Sequence, residues 1–209
     1  MARWFAGSQL VVDDTGFAKD GTASPCVARQ YSGTLGKTGN CQIAVSVHLA
    51  NEHASCAADW RLFCPASWDD AALDDPVAAA GAAARRKRAG IPGEVRHREK
   101  WRLALEMIDE VTGPAGWGVL GQVTAAGSAR PVVVADAGYG DNTTFRQELT
   151  DRGFAWVVAV KGTTSAHPCD AVPVTVGYSG RGRPPVPRYR TRRRTCASSP
   201  SPTPPASSQ

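Results

Sequence analysis

Residues 10–17 read Leu-Val-Val-Asp-Asp-Thr-Gly-Phe, an apolar, β-branched run that ends on two adjacent carboxylates and then breaks at Gly16. β-branched residues favour a strand, and the glycine favours its end. A second run of this kind, residues 132–135, stops on Asp136. The polar, glycine-rich segment 18–39 between them predicts a turn or an extended loop. The sequence therefore predicts two strands that each end on a carboxylate at the edge of a sheet.

The other periodic segments predict an α/β fold. Residues 42–49 alternate in polarity and residues 55–63 follow a turn, which indicates two more strands in an antiparallel meander with the first. Residues 97–111 and 143–152 predict helices, and residues 154–160 predict a buried strand. Because helices connect the later strands, we expect those strands to be parallel neighbours in a sheet covered by helices.

Composition divides the chain into a folded part and a tail. From Gly177 onward there are seven arginines, seven of the 15 prolines and no acidic residue. Residues 1–176 therefore carry 24 − 7 = 17 Lys and Arg against 19 Asp and Glu, a formal charge of 17 − 19 = −2, so the whole-chain value of +5 belongs to the tail. We expect a short leader over residues 1–9, a domain over residues 10–176 and a disordered tail over residues 177–209.

The cysteines and the hydropathy pattern indicate the compartment. Six cysteines are spread without CxxC pairing, and no signal peptide precedes them. These features predict reduced thiols in a cytoplasmic protein. No apolar run approaches the roughly 18 to 20 residues that span a bilayer, so the sequence gives no support to a membrane role.

Residues 74–88 predict a further helix that ends on four basic residues. Asp74 and Asp75 precede Pro76, a pattern typical of a helix start, and the final residues are Arg-Arg-Lys-Arg. Cations are favourable at the carboxyl end of a helix dipole. The basic run therefore allows two interpretations, a solvated helix end, which is favoured, or a nucleic-acid contact.

Asp14 and Asp136 are candidate metal ligands. They lie 136 − 14 = 122 residues apart, so only the fold can bring them together. If their strands are parallel neighbours, the two carboxylates meet at the carboxyl end of the sheet. Such oxygens bind hard divalent cations, and paired metals about 3.5 to 4 Å apart promote phosphodiester chemistry. Aspartates also commonly begin turns and cap helices, so the residues alone leave both interpretations open.

Several motifs occur in a specific order along residues 10–175. They are Val12–Gly21, Val27–Lys37, Asn40–Gln42, Val134–Gly140 and Trp156–Lys161. In this order they resemble the DDE-type transposases of bacterial insertion sequences. The resemblance implies a ribonuclease-H-like fold, a mixed sheet flanked by helices, that is incomplete at the C-terminus. The order of strands and helices predicted above agrees with that fold.

The resemblance also implies an activity and its residues. The reaction is DNA cleavage at transposon ends and strand transfer to target DNA, with two Mg²⁺ ions in the complete site, DNA as the partner and a homo-oligomer as a possible assembly. Asp14 becomes the first catalytic, metal-binding aspartate and Asp136 the second. Asp13 is the less favoured ligand, because relatives keep an Asp-Thr pair here and neighbouring side chains of a strand point to opposite faces. Arg29 and Lys37 are candidate phosphate contacts, or simply solvated loop charges.

The third acid of that family, a glutamate on a later helix, has no counterpart in this sequence, since no acidic residue follows Asp170. Loss of one of three metal ligands should nearly abolish the chemistry. We therefore expect a truncated or frame-shifted transposase that is inactive by itself. The alternatives are a noncatalytic DNA-binding or regulatory fragment, and an unfolded translation product without function.

Overall fold

The computed structural model describes residues 7–113, 130–167, 170–175, 177–186, 188–189 and 194–195. The chain divides into two compact units, residues 1–159 and 160–209. The first unit holds a six-stranded mixed sheet flanked by helices. This α/β arrangement confirms the predicted fold class.

The sheet combines an antiparallel half with a parallel half. Its strands are β1 Gln9–Ala18, β2 Ala28–Ser32, β3 Lys37–Ala50, β4 Ser55–Leu62, β5 Val133–Ala135 and β6 Trp156–Val158. The order is β2-β3-β1-β5-β6, with β4 paired to β3. β3 pairs antiparallel with β1, β2 and β4, whereas β1, β5 and β6 are parallel. The predicted antiparallel strands and the parallel later strands are both confirmed.

The described residues form four α-helices, which are α1 Pro76–Arg88, α2 Lys100–Thr112, α3 Ala137–Gly140 and α4 Thr143–Asp151. Polar side chains begin three of them. Asp75, Asp136 and Asn142 each accept hydrogen bonds from backbone N–H groups of the helix that they precede. These N–H groups have no partner inside the helix, so the caps stabilise the helix starts. The predicted starts of α1 and α4 are confirmed.

The main core lies between the sheet and the helices α2 and α4. Apolar residues of α2 repeat at helical spacing, which places one buried stripe against the strands. The largest fully buried side chains of this core are Leu10, Val12, Val45, Val47, Met107, Ile108, Val111, Val133, Phe145 and Leu149. Leu10 and Val12 belong to β1 and Val133 to β5, so the same packing fixes the two strands that lead to Asp14 and Asp136.

Three sequence predictions about strands are wrong. The first strand does not end on its carboxylates or at Gly16, because β1 continues to Ala18 and pairs with β3 over that length. Residues 154–160 do not form a buried strand: only Trp156–Val158 is β6, and Val157 is 65% exposed because β6 ends the sheet. The segment 18–39 is not all turn and loop, since it contains β2. β2 forms because the long β3 supplies hydrogen-bonding partners for it, which local composition does not reveal.

The basic run at the end of α1 is not solvated throughout. Arg86 is 5% exposed, and its guanidinium donates to the carbonyl oxygens of Trp68 at 3.2 Å, Pro92 at 3.1 Å and Val95 at 2.6 Å. The Arg85 guanidinium lies 4.0 Å from the Trp68 ring centroid. The favoured interpretation of a solvated helix end is therefore wrong for Arg86, because carbonyl oxygens replace water around its charge.

We expect Arg86→Met to lower the free energy of unfolding by about 3 kcal/mol, because it leaves three carbonyl oxygens without their charged donor. Lys87→Met is the matched control, since Lys87 is exposed on the same helix turn and its replacement should change stability by less than about 0.5 kcal/mol. Urea unfolding measures both. An Arg86→Met loss no larger than that of the control would contradict the anchoring role.

The described residues of the second unit form four strands of two residues each. β7 Ser165–Ala166 pairs antiparallel with β10 Arg194–Thr195, and β8 Pro173–Val174 pairs antiparallel with β9 Arg188–Tyr189. Residues 1–6 of the predicted leader and residues 196–209 of the predicted tail lie outside the described residues. The predicted boundaries after residues 9 and 176 stay predictions. In the described part of the chain, no helix is both long and apolar enough to cross a membrane.

Candidate active site

The parallel pairing of β1 with β5 brings the two candidate aspartates to the same end of these two strands. Val12 pairs with Ala135, so Asp14 follows that pair by two residues and Asp136 by one. Both carboxylates line a single cavity of about 240 Å³. The structure thus brings Asp14 and Asp136 together in the way that parallel neighbouring strands require.

Both carboxylate oxygens of Asp14 are bound by side chains. Lys100 Nζ, from the first residue of α2, lies 2.5 Å from Oδ2. The hydroxyl of Tyr139, from α3, donates to Oδ1. The side chains of Lys100 and Asp14 are 28% and 26% exposed, so this ion pair borders the cavity and remains accessible to water and ions.

Tyr139 donates its hydroxyl hydrogen to Asp14 at physiological pH. Its burial, followed by the negative charge of Asp14, raises the pKa of Tyr139 well above its ordinary value. The phenol therefore stays protonated at physiological pH. Its ring packs against Phe145 of α4 with a centroid distance of 5.7 Å, which fixes the orientation of the hydroxyl.

Asp136 caps a helix and also lines the cavity. Its Oδ1 accepts a hydrogen bond from the backbone N–H of Gly138 at 2.9 Å, which orients the carboxylate. Its Oδ2 has no hydrogen bond or ion pair to any residue that the structure describes. Asp136 can therefore act both as a helix cap and as a ligand, since one oxygen caps α3 while the other is available.

The β2–β3 hairpin forms one side of the cavity, and Gly16 allows it to approach. The N–H of Gly16 donates to Thr34 Oγ1 at 3.2 Å, and a Cβ on Gly16 would lie 1.9 Å from Ser32 Oγ. Only glycine permits this close approach at this position of β1. Tyr31 of β2 also lines the cavity and is 65% exposed.

Arg29 and Lys37 lie on the same hairpin, but neither is among the residues that line the cavity. Lys37 pairs with Ser32 across the hairpin and so shares its face, whereas Arg29, three residues before Ser32, lies on the opposite face. Both side chains are exposed. Their role as DNA phosphate contacts stays a prediction, and the two would contact DNA from different faces.

Asp13 is also among the residues that line this cavity, and it is exposed whereas Asp14 is half-buried. Its Oδ1 accepts a hydrogen bond from the backbone N–H of Asp14 at 2.7 Å. Lys100 and Tyr139 bind Asp14 instead. The two neighbouring aspartates therefore differ in their hydrogen-bond and ion-pair partners.

Lys100 and Tyr139 are the site residues that sequence analysis missed. Tyr139 follows Asp136 by three residues, and that spacing would have signalled one helical turn between them. Lys100 lies 86 residues from Asp14. The only local signal for Lys100 was its position at the start of an amphipathic helix that had to pack on the sheet.

The residues fit a divalent metal ion in part. Two carboxylates at one cavity provide the hard oxygen ligands that Mg²⁺ prefers, and Oδ2 of Asp136 is available. Among the described residues, however, no group of three His, Cys, Asp or Glu side chains is placed to hold a metal ion. Lys100 also occupies Oδ2 of Asp14. The cavity therefore offers two acidic ligands, and the ammonium group of Lys100 would compete with a metal ion for Asp14.

Residues 1–206 match the family described as DDE superfamily endonuclease. The chain belongs to this family. No curated protein and no solved structure matches the chain. DDE superfamily endonucleases act on DNA and generally use divalent metal ions, which agrees with carboxylates gathered at a sheet edge. In this DDE endonuclease chain, Asp13 and Asp14 of the cavity lie in β1, and Asp136 directly follows β5.

Proposed function

We propose that the chain is the DDE catalytic part of a DNA transposase of the insertion-sequence type, with Asp14 and Asp136 as acidic ligands for Mg²⁺. The parallel β1–β5 pairing, which places both carboxylates in one cavity, is the observation that supports this most strongly. When bound, the metal supplies the positive charge that activates water or a DNA 3′ hydroxyl for attack on phosphorus. The proposed reaction is cleavage of transposon ends followed by strand transfer to target DNA.

The chain's own residues orient the acids for this role. The Tyr139 hydroxyl fixes one oxygen of Asp14, and the Gly138 N–H fixes one oxygen of Asp136. Gly16 allows the β2–β3 hairpin to enclose the cavity from one side. Such preorganisation by neighbouring groups is what a metal-dependent site requires of its protein. The proposal places the protein in the cytoplasm with DNA, and a homo-oligomer is the assembly to test for.

We further propose that these 209 residues do not cleave DNA efficiently by themselves. The resemblance to transposases implies a third acid, and no acidic residue follows Asp170. In the part of the chain that the structure describes, no third metal-ligating side chain joins Asp14 and Asp136. A second candidate function, a noncatalytic DNA-binding or regulatory fragment, is favoured by the same observation and by the exposed Arg29 and Lys37 on the hairpin.

Mg²⁺ is expected to strengthen binding of the purified protein to a fluorescent DNA duplex. Carboxylates repel phosphates, and a cation shared between the two removes that repulsion. Asp14→Asn should abolish the Mg²⁺-dependent increase, whereas Asp20→Asn, an exposed control outside the cavity, should retain it. Cleavage of a supercoiled plasmid should stay at background in all three proteins.

Two outcomes would change the conclusion. DNA binding that is equal with and without Mg²⁺, and equal in Asp14→Asn, would support the regulatory fragment in place of the transposase site. Mg²⁺-dependent plasmid cleavage that is lost in Asp14→Asn would show that the 209 residues hold a complete catalytic site, and would overturn the proposed inactivity.

A further inference from the structure

We infer that Lys100 is a positioning residue: its ammonium takes the place of a cation at Asp14 in the metal-free protein, and is released to a DNA phosphate when a divalent cation binds. The inference rests on the proposed function, since it takes Asp14 as a metal ligand. It assigns to one side chain two successive partners, a carboxylate of the protein and a phosphate of the substrate.

Acidic residues outnumber basic ones among the described residues that line the cavity. Asp13, Asp14 and Asp136 all border a space of about 240 Å³, and Lys100 is the one basic side chain among its described lining residues. Its Nζ lies 2.5 Å from Oδ2 of Asp14. Without a bound metal, this ammonium group offsets the negative charge of Asp14 and of the other acidic residues at the cavity.

The position of Lys100 in its helix also indicates a role other than helix stability. Lys100 is the first residue of α2, and the first turn of α2 contains no acidic residue. A cation at a helix N-terminus is unfavourable, because that end of the helix already carries partial positive charge. The lysine is therefore tolerated there because of the carboxylates that it faces, and not because of its own helix.

The contacts of Lys100 allow release. Its side chain and that of Asp14 are both about one quarter exposed, and the ring centroid of Phe63 lies 5.5 Å from Nζ. Lysine is a hydrated point charge on a flexible stem, so it exchanges partners more readily than the planar guanidinium of arginine. Once displaced from Asp14, the ammonium group stays at the cavity, where a phosphate of bound DNA is the complementary charge.

Competition by Lys100 is expected to weaken metal binding, so Lys100→Met should bind Mn²⁺ about three- to tenfold more tightly than the wild type, the range expected for loss of a partly exposed ion pair. Mn²⁺ titration followed by electron paramagnetic resonance gives this affinity. Lys100→Arg keeps a competing cation and should not bind Mn²⁺ more tightly than the wild type. Lys87→Met removes a distant exposed charge and should leave the affinity unchanged.

A DNA-binding measurement tests the second proposed partner of Lys100, a phosphate of DNA. In saturating Mg²⁺, Lys100→Met should bind a DNA duplex more weakly, and the slope of log affinity against log salt should fall by about one, the value for loss of one phosphate contact. A merely structural lysine would instead lower stability in urea unfolding without tightening Mn²⁺ binding. If Lys100→Met fails to unfold cooperatively, Lys100→Gln, which keeps a polar side chain but removes the charge, replaces it in every measurement.

The outcomes separate this inference from the proposed function. Unchanged or weaker Mn²⁺ binding by the folded Lys100 variant, together with loss of Mn²⁺ binding in Asp14→Asn, would overturn the role of Lys100 and leave the metal site standing. Mn²⁺ binding that survives in Asp14→Asn would overturn the metal site itself, and the inference with it. Tighter Mn²⁺ binding together with weaker DNA binding by the Lys100 variant supports both the role of Lys100 and the metal site.

Discussion

Replacement of Gly140 by alanine is expected to lower the free energy of unfolding by at least about 3 kcal/mol. A Cβ on Gly140 would lie 1.9 Å from the carbonyl oxygen of Ala159 and 3.0 Å from Cβ of Val158. The N–H of Ala159 donates to the carbonyl oxygen of Ala135 at 3.0 Å, so this backbone is tied to β5. Rotation of a side chain cannot relieve the clash, and the backbone itself must move.

The same substitution should disturb the candidate active site. Gly140 ends α3, the short helix that Asp136 caps, and its N–H donates to the carbonyl oxygen of Asp136 at 2.8 Å. A shift of the backbone at Gly140 therefore moves both Asp136 and Tyr139, which lies between them in the chain. We expect Gly140→Ala to lose affinity for divalent cations as well as stability.

Gly81→Ala provides a matched control within one chain. Gly81 lies inside α1, and a Cβ there would meet no heavy atom within 4 Å. Because alanine favours a helix over glycine, this variant should be more stable by about 0.5 to 1 kcal/mol. Urea unfolding followed by circular dichroism compares the two. A Gly140→Ala variant as stable as Gly81→Ala would contradict the close packing of α3 against β6.

Local sequence patterns predicted the elements that carry the two aspartates. β5 is an apolar run that ends directly before Asp136, whereas β1 starts with an apolar run, contains Asp14 and continues to Ala18. Alternating helices and strands indicated the parallel arrangement of β1 and β5. The helix starts at Asp75 and Asn142 were also predictable, because capping depends on a side chain and the few residues that follow it. The predictions of individual strands and helix starts succeeded because each depends on interactions between residues close in sequence.

The rest of the site depends on contacts between distant segments. Lys100 reaches Asp14 across 86 residues, and no periodicity in the sequence encodes that pairing. β2 forms in a polar segment because β3 pairs with it, and Arg86 is buried because carbonyl groups from two other segments surround it. β6 carries an apolar sequence but lies at a sheet edge, so its composition predicted more burial than it has.

The second large expected effect is a loss of affinity for divalent cations. Asp14 and Asp136 lie at one cavity, and removal of either carboxylate takes away one of the two acidic ligands that the proposed site provides. We expect Asp14→Asn and Asp136→Asn each to weaken Mn²⁺ binding by at least about tenfold, since even changes to residues that only support metal ligands cost that much. Because the two act on one site, the double variant should lose little more than either single one.

Asp13→Asn and Asp20→Asn are the controls for this effect. Asp13 lines the cavity without contacting Lys100 or Tyr139 in the described structure, so its replacement should weaken Mn²⁺ binding less than that of Asp14. Asp20 is exposed and outside the cavity, and its replacement should change nothing. This comparison separates a defined ligand pair from general attraction of a cation to acidic groups.

The most direct test is a Mn²⁺ titration of the purified protein and these variants, followed by electron paramagnetic resonance to count the free ion. We expect saturable Mn²⁺ binding by the wild type and Asp20→Asn, and its loss in both Asp14→Asn and Asp136→Asn. Equal Mn²⁺ binding by the wild type and either of these two variants would contradict the conclusion that Asp14 and Asp136 form one metal site.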